Sequence, residues 1–252
     1  MNKHSKDPVF TPKEFLLYLK KIKRYPRFMA PRGMIICYQS GLLEHVLKNH
    51  KTTPVYGISQ GIYLLDETDG KAGIAGNFGI GAPAAGVILE ELIAFGVKRF
   101  VSIGTAGTLQ KNIRTGALMV CEKAIRDEGT SYHYAKPAKY AYPSKEITAQ
   151  IKTALEQLGR RYFTGVTWTI DAPYRETVAE VRQYQKEGVA TVEMEASALF
   201  TIAGCRSAQL GAIFTISDSL AELEWKPKFH LKRTGKGLEV LYMAALSVLL
   251  KE

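Results

Sequence analysis

Segments with strand-like and helix-like patterns alternate along this chain, and that alternation limits the possible folds more than any other feature. Residues 34–37 are a short apolar run typical of a buried strand, and residues 42–48 follow with helical spacing of apolar side chains. Residues 61–65 and 72–76 predict two further strands, which a turn sequence joins. Pro83 then begins a helix that Gly96 ends, and the next strand is predicted directly after it, at residues 100–103.

The same alternation continues to the end of the chain. The remaining strands are predicted at residues 117–124, 165–169, 190–192 and 210–216, and the remaining helices at residues 145–158, 176–186, 196–202 and 235–250. No linker rich in proline, glycine or serine interrupts this order, and no internal repeat is present. We therefore predict one α/β domain over residues 1–252, built around a largely parallel or mixed sheet.

Positive charge is concentrated near the N-terminus. The formal net charge is +10, and the first 33 residues contain nine lysines and arginines against only Asp7 and Glu14. In the same segment, Thr11 and Pro12 begin a helix whose apolar side chains share one face. We interpret residues 1–30 as a basic helical appendage with a solvated charged face. Nucleic-acid binding is the less favoured interpretation, because no nucleic-acid-binding motif accompanies the charge.

Composition excludes several other classes of protein. The chain is 46% hydrophobic and 23% charged, which is typical of globular rather than disordered or fibrous chains. Its 3 cysteines have no CxxC spacing, so neither a disulfide scaffold nor a zinc site is expected. No apolar stretch approaches the roughly 20 residues of a membrane span, and the first residues do not resemble a signal peptide. These features predict a cytoplasmic protein without a membrane partner.

Two glycine-rich sequences follow predicted strands, where the ligand sites of α/β proteins form. Residues 76–83 leave a strand and enter a helix, and such a turn either binds an anion or needs glycine only for its shape. Residues 102–107 include Ser102, Gly104 and Thr105, whose hydroxyls and amides suit a phosphate or sugar oxygen. This second sequence lacks the lysine of a P-loop, so a nucleoside triphosphatase is not predicted.

Three acidic residues lie beside strongly apolar segments. Glu193 and Glu195 flank Met194 between a predicted strand and an apolar helix. Carboxylates in such surroundings are rarely buried without partners, so they either stabilise a helix start or accept two vicinal hydroxyls of a ribose, with the methionine against the sugar. Asp218 follows an apolar strand, where burial would raise its pKa and suit it to general-acid catalysis. The structural alternative for Asp218 is a helix N-cap.

Four short motifs carry a family resemblance. They are residues 79–83 (GIGAP), 103–107 (IGTAG), 192–196 (VEMEA) and 217–218 (SD). Through them, the chain from about residue 34 to residue 220 resembles the uridine phosphorylase and hexameric purine nucleoside phosphorylase family of nucleoside phosphorylases. The resemblance implies a three-layer α/β/α fold with a mixed, partly barrel-like central sheet. It also implies a homo-oligomer, either a dimer or a hexamer built as a trimer of dimers.

The resemblance further implies roles for individual residues. The residue matching Glu195 binds the ribose 2′ and 3′ hydroxyls, with Glu193 beside it, and the residue matching Met194 packs on the sugar. In the purine branch, the residue matching Asp218 protonates the departing base. Residues 126–134 and 171–175 resemble a bacterial and archaeal subgroup called uridine phosphorylase-like. Tyr174, in the second of these segments, is the candidate for packing on the base.

The chain departs from the family where phosphate is usually bound. Gly104 and Thr105 are retained, but Ser102 stands where the family typically has an arginine. The usual Gly-Asp-Pro motif and its arginine are also missing, since residues 38–42 read YQSGL. Either another cation holds phosphate or water is the attacking group. The candidate cations are Arg126 and Arg175, followed by Arg32.

The predicted function is therefore that of a nucleoside phosphorylase. This class of pentosyltransferase cleaves a ribonucleoside with inorganic phosphate, giving the free base and ribose 1-phosphate. Asp218 favours purine nucleosides slightly over uridine. Phosphate is a co-substrate, and no metal or organic cofactor is expected. The alternatives are a nucleosidase, which uses water, and a non-catalytic nucleoside- or RNA-binding module.

Overall fold

The computed structural model describes Lys3 and residues 8–26 and 28–251. The helices of these residues are α1 (Pro12–Lys21), α2 (Ser40–Asn49), α3 (Ala82–Phe95), α4 (Lys145–Gln157), α5 (Val178–Lys186), α6 (Ala196–Cys205) and α7 (Lys232–Leu250). The strands are β1 (Gly33–Cys37), β2 (Thr52–Pro54), β3 (Ile62–Leu65), β4 (Ala72–Ala75), β5 (Arg99–Thr108), β6 (Leu118–Asp127), β7 (Tyr140–Ala141), β8 (Phe163–Ile170), β9 (Thr191–Glu193), β10 (Gln209–Ser219) and β11 (Lys226–Pro227).

The strands of the described residues form one mixed sheet, and part of that sheet closes on itself. β5 pairs in parallel with β10 and antiparallel with β9. β10 is antiparallel to β6, β6 is parallel to β8, and β8 is parallel to β9, which returns to β5. These pairings complete a ring of strands, so the predicted barrel-like part of the sheet is confirmed. From β5 the sheet extends through β1, β4, β3 and β2.

Helices cover both faces of the sheet. On one face α3 contacts α6, over a core that contains Phe100 and Phe214. On the other face α7 contacts α4 and α2, over a core that contains Ile35 and Ile213. This three-layer α/β/α architecture confirms the predicted fold class. Among the described residues, none of the helices combines the length and the apolarity that a membrane crossing requires.

The first helix packs against the body of the fold. A capping box begins α1, because the Glu14 amide donates to Thr11 Oγ1 and the Thr11 amide donates to Glu14 Oε2. Leu16 and Leu19 are buried, and α1 contacts α3. The helix predicted at Thr11 is thus confirmed. Part of the predicted basic appendage, including Lys6, Asp7 and Arg27, lies outside the described residues.

β5, β6 and β10 extend beyond their predicted ends, and this corrects the setting of several predicted site residues. Gly104 and Thr105 are inside β5, not in a loop that follows it. Asp218 is inside β10, so its interpretation as an N-cap is wrong. Arg126 does not follow a strand but lies within β6. The physical reason is pairing between strands of the ring, which extends each strand beyond its apolar run.

Two glycines of α7 provide a test of how tightly this helix packs on the sheet. A Cβ on Gly237 would lie 2.2 Å from Thr215 Oγ1 and 2.8 Å from Thr215 Cβ, whereas a Cβ on Gly235 would meet nothing within 4 Å. We expect Gly237→Ala to lower the free energy of unfolding by about 1–3 kcal/mol through overpacking. Gly235→Ala is the control and should raise it by up to about 1 kcal/mol through helix propensity. Urea denaturation measures both, and equal stabilities would contradict the packing described.

Candidate active site

A cavity of about 600 Å³ lies beside the closed ring of strands. This volume is in the range of small-molecule sites, and residues of β5, β9 and β10 contribute to its wall. The predicted site residues that line it are Thr105, Tyr174, Glu193, Met194, Glu195 and Asp218. The predicted site residues outside its lining are Ser102, Gly104, Arg126 and Arg175. The structure thus brings together the predicted sugar-binding and acid residues, and only part of the predicted phosphate site.

Glu195 lies in the wall of the cavity and is the residue that directly precedes α6. Its Oε1 accepts a hydrogen bond of 2.6 Å from the Gly81 amide. Gly81 has a φ of +94°, which favours glycine, so a glycine turn presents this amide. Burial and the nearby charge of Glu193 raise the pKa of Glu195, and the Gly81 hydrogen bond opposes that rise. The Met194 methyl group lies near Gly81, so a buried carboxylate and an apolar surface stand side by side.

Glu193 also reaches the cavity, but its carboxylate already has partners. Thr169 Oγ1 donates to Glu193 Oε1 at 2.5 Å. The backbone amides of Glu195 and Ala196 donate to Glu193 Oε2 at 2.9 and 2.7 Å. These bonds fix the turn from β9 into α6 and thereby the position of Glu195. The geometry gives Glu193 a positioning role, and ribose binding by Glu193 stays a prediction.

Asp218 lies in the cavity wall with both carboxylate oxygens hydrogen-bonded. Ser217 Oγ donates to Asp218 Oδ1 at 2.6 Å, and the Trp225 indole nitrogen donates to Asp218 Oδ2 at 3.1 Å. Burial raises the pKa of Asp218, and these two hydrogen bonds lower it. A buried acid with a raised pKa can hold a proton that an exposed aspartate would release.

Neutral polar groups occupy the part of the cavity nearest Thr105. Gln39 Nε2 donates to Thr105 Oγ1 at 3.0 Å, and the Tyr38 hydroxyl is 2.9 Å from Ser102 Oγ. Ser102 is itself buried behind Tyr38. A Cβ on Gly104 would lie 3.1 Å from the Tyr38 ring, so Gly104 supports that ring instead of facing the cavity. Tyr38 and Gln39 stand where the family has its phosphate motif. This departure was the only feature of the sequence that pointed to these two residues.

The predicted arginines do not reach the cavity. Arg126 is buried, and its guanidinium donates to Ser131 Oγ and to the carbonyl oxygens of Lys136 and Ala135. Arg175 is exposed on the loop before α5. Among the described residues, the cavity lining contains no lysine, arginine or histidine. It contains the carboxyl groups of Glu176, Glu193, Glu195, Asp218 and Glu224.

Sequence reasoning missed three further residues of the cavity lining, Glu176, Trp225 and Phe229. Trp225 and Phe229 line the cavity together with Tyr174, whose side chain is fully exposed at its mouth. Glu176 also lines it, one residue after the short helical turn Pro173–Arg175. The motif around residues 171–175 pointed to this loop, whereas Trp225 and Phe229 lie after the last motif of the family resemblance.

The fold and the motifs that meet in this cavity define a protein of the nucleoside phosphorylase type. Residues 32–247 match the family model described as Phosphorylase superfamily, and the chain belongs to that superfamily.

Two curated relatives and one solved structure support this family assignment. The chain is 32% identical over 154 residues to the uridine phosphorylase of Thermococcus kodakarensis, an alignment that covers 55% of this chain and 54% of the relative. It is 32% identical over 142 residues to the guanosine phosphorylase of Halorubrum lacusprofundi, covering 56% and 59%. The chain thus spans little more than half the length of these curated relatives. A crystal structure of uridine phosphorylase from Vibrio fischeri is similar, with a TM-score of 0.71, 25% identity and coverage of 88% and 91%.

The positioning role of Glu193 leads to a stability prediction. In Glu193→Gln, an amide NH2 group would face hydrogen-bond donors that now donate to a carboxylate oxygen. We expect the free energy of unfolding to fall by about 1–3 kcal/mol, the cost of a buried polar group left unpaired. The control is Glu187→Gln, which removes an exposed ion pair with Lys139 and should cost less than about 1 kcal/mol. Chemical denaturation at neutral pH measures both, and a Glu193→Gln protein as stable as the control would argue against this role.

Proposed function

We propose that the protein cleaves the N-glycosidic bond of a ribonucleoside. The observation that carries the proposal is that Glu195, Met194 and Asp218 meet in one cavity of nucleoside size. The Glu195 carboxylate accepts the ribose 2′ and 3′ hydroxyls, and the Met194 side chain packs on the sugar. As the bond breaks, positive charge develops on the ribose, and the Glu195 carboxylate stabilises it electrostatically.

Asp218 serves the leaving base in this proposal. Burial favours its protonated form, and proton transfer to a leaving group typically accelerates such a reaction by about 10²–10⁴-fold. A purine accepts this proton on a ring nitrogen that uracil lacks. This difference supports a slight preference for purine nucleosides, as does the likeness to a guanosine phosphorylase, whereas the likeness to uridine phosphorylases supports uridine. Tyr174 and Trp225 offer aromatic faces to the base.

Phosphate is the proposed acceptor of the ribosyl group. The support for phosphate is the family, together with the Thr105 hydroxyl, which lines the cavity. A dianion binds well only with charge-assisted donors, each worth about 1.5–3 kcal/mol. We therefore propose that Arg175, which is exposed near the mouth, or an arginine from a second copy of the chain supplies the positive charge. The reaction then uses side chains and phosphate alone, without a metal or an organic cofactor.

Hydrolysis is the second candidate, and the charge of the cavity favours it. Tyr38, Gln39 and Thr105 are neutral groups, and five carboxyl groups line the same cavity without a cation among the described residues. Such a lining repels a dianion but accommodates water, which needs only hydrogen bonds.

Assays with and without phosphate distinguish these functions. Base release from inosine, guanosine and uridine is followed in phosphate-free buffer and in buffer with added phosphate. We expect release that depends on phosphate and is faster with inosine or guanosine than with uridine. Release that is equally fast without phosphate makes the protein a nucleosidase. Saturable binding without any release makes it a non-catalytic nucleoside-binding module, and a tenfold preference for uridine contradicts the base preference.

Substitutions separate the roles of the two proposed site residues. Asp218→Asn should lower kcat for inosine by about 10²-fold while changing KM little, since it removes a transferable proton. Glu195→Gln should lower kcat and raise KM together. The native enzyme should discriminate more strongly than Glu195→Gln against 2′-deoxyinosine. Steady-state kinetics measure all of these constants, and an unchanged kcat for Asp218→Asn would remove Asp218 from the mechanism.

A further inference from the structure

Glu176 is a carboxyl group in the cavity for which neither the family motifs nor the proposed function gives a role. The sequence predicts it as the first residue of a helix, but α5 begins two residues later, at Val178. Thr177 and Glu180 form a capping box at the start of α5, which fixes the backbone next to Glu176. The Glu176 side chain is half-buried, lines the cavity and makes no hydrogen bond with any described residue.

Glu176 and Asp218 are close enough to influence each other, and their surroundings differ in kind. Asp218 accepts hydrogen bonds from Ser217 and Trp225, and both bonds favour its ionised form. Glu176 has no such donor. Burial, the charge of Asp218 and the charge of Glu180 raise the pKa of Glu176 to about 7. Of the two carboxyl groups, Glu176 is therefore the one on which a single shared proton rests more favourably.

The other titratable groups around Glu176 do not offset the electrostatic repulsion between the Glu176 and Asp218 carboxylates. Glu180 faces it from α5, and the remaining titratable side chains of the cavity lining are Tyr38, Tyr174, Glu193, Glu195 and Glu224. All of these are neutral or negative at neutral pH. The neighbouring Arg175 is exposed and outside the lining. Two carboxylates that line one cavity and interact electrostatically, without a cation in the described lining, favour the uptake of one proton by the pair.

We propose that Glu176 and Asp218 form an acid pair that holds one proton at neutral pH and delivers it to the leaving base. The proposal rests on the proposed function, since it needs a glycosidic bond to break. When the bond between ribose and base breaks, its electron pair goes to the base. The proton of the pair moves to a ring nitrogen of that base, and two carboxylates remain. The pair then regains a proton from water, which reaches Glu176 because this side chain is only half-buried.

Two substrates separate proton delivery from every other role of Glu176. Inosine releases a base that needs a proton. 7-Methylinosine releases a base that needs none, because its methylated ring nitrogen already carries positive charge. At pH 7, Glu176→Gln should lower kcat for inosine by about 10-fold or more and change kcat for 7-methylinosine by less than about 2-fold. The matched control is Glu222→Gln, which removes one nearby carboxylate paired with Lys111 outside the cavity lining. Its two rates should stay unchanged.

The pH dependence of kcat gives a second readout with a defined sign. The acid must be protonated, so kcat of the native enzyme for inosine should fall as pH rises through the pKa of the pair. In Glu176→Gln, Asp218 no longer faces the charge of Glu176 and ionises at lower pH. The fall should therefore begin at lower pH in the variant. An equal loss of kcat for both substrates, or no loss for either, would overturn the acid pair.

Infrared titration tests the pair without any turnover. Burial also raises the pKa of Glu193 to about 7 and that of Glu195 to about 8, so the test counts carboxyl groups by comparison between variants. The native protein and the Glu222→Gln control should each show one more protonated carboxyl group that titrates near neutral pH than Glu176→Gln shows. If the native protein cleaves neither nucleoside, the proposed function and proton delivery both fail, whatever this titration shows. If the native protein cleaves inosine but Glu176→Gln removes no such carboxyl group, the acid pair fails and the proposed function stands.

Discussion

The cavity depends on the double pairing of β5. Its backbone bonds to β10 on one edge and to β9 on the other, and this arrangement closes the ring of strands. Closure sets Gly107 of β5 opposite both Val192 of β9 and Asp218 of β10. Residues that are far apart in the chain therefore meet within one wall. The short pairing of β5 with β9 thus joins the strand that precedes Glu195 to the strand that lies beside Asp218.

The acidic residues of the cavity are stabilised to very different extents. Glu193 accepts three hydrogen bonds, Asp218 accepts two, and Glu195 accepts one from Gly81. Glu176 accepts none from the described residues. The first of these carboxylates is fixed by the fold, whereas the less satisfied ones have capacity left for a ligand or a proton. The cavity therefore suits a reaction in which the substrate gains positive charge, and it disfavours an anion that approaches without its own cation.

Local sequence patterns predicted the types of most elements and their order along the chain, because most elements have an apolar face of clear period. The three layers and the barrel-like part of the sheet were implied by the family resemblance. β2, β7 and β11 were not predicted, since two or three residues carry no detectable period. Glu195 and Asp218 were found because acidic residues beside apolar runs are conspicuous. Tyr38 and Gln39 were noticed only as departures from a motif, because neutral side chains acquire their role from their neighbours across the sheet. Arg126 was proposed for phosphate binding because its charge is evident in the sequence. The carbonyl oxygens that its guanidinium contacts instead cannot be recognised from the sequence.

The unequal exposure of the two tryptophan side chains has a consequence for the fluorescence of the protein. The chain has two tryptophans, and Trp168 is fully buried beneath Tyr184, whereas Trp225 is 60% exposed at the cavity. A soluble quencher reaches only the second of these indoles. The emission that it removes therefore reports on the cavity alone, and changes in that component follow occupancy of the cavity without any chemical label. The fold thus separates two otherwise identical chromophores into an internal reference and a sensor.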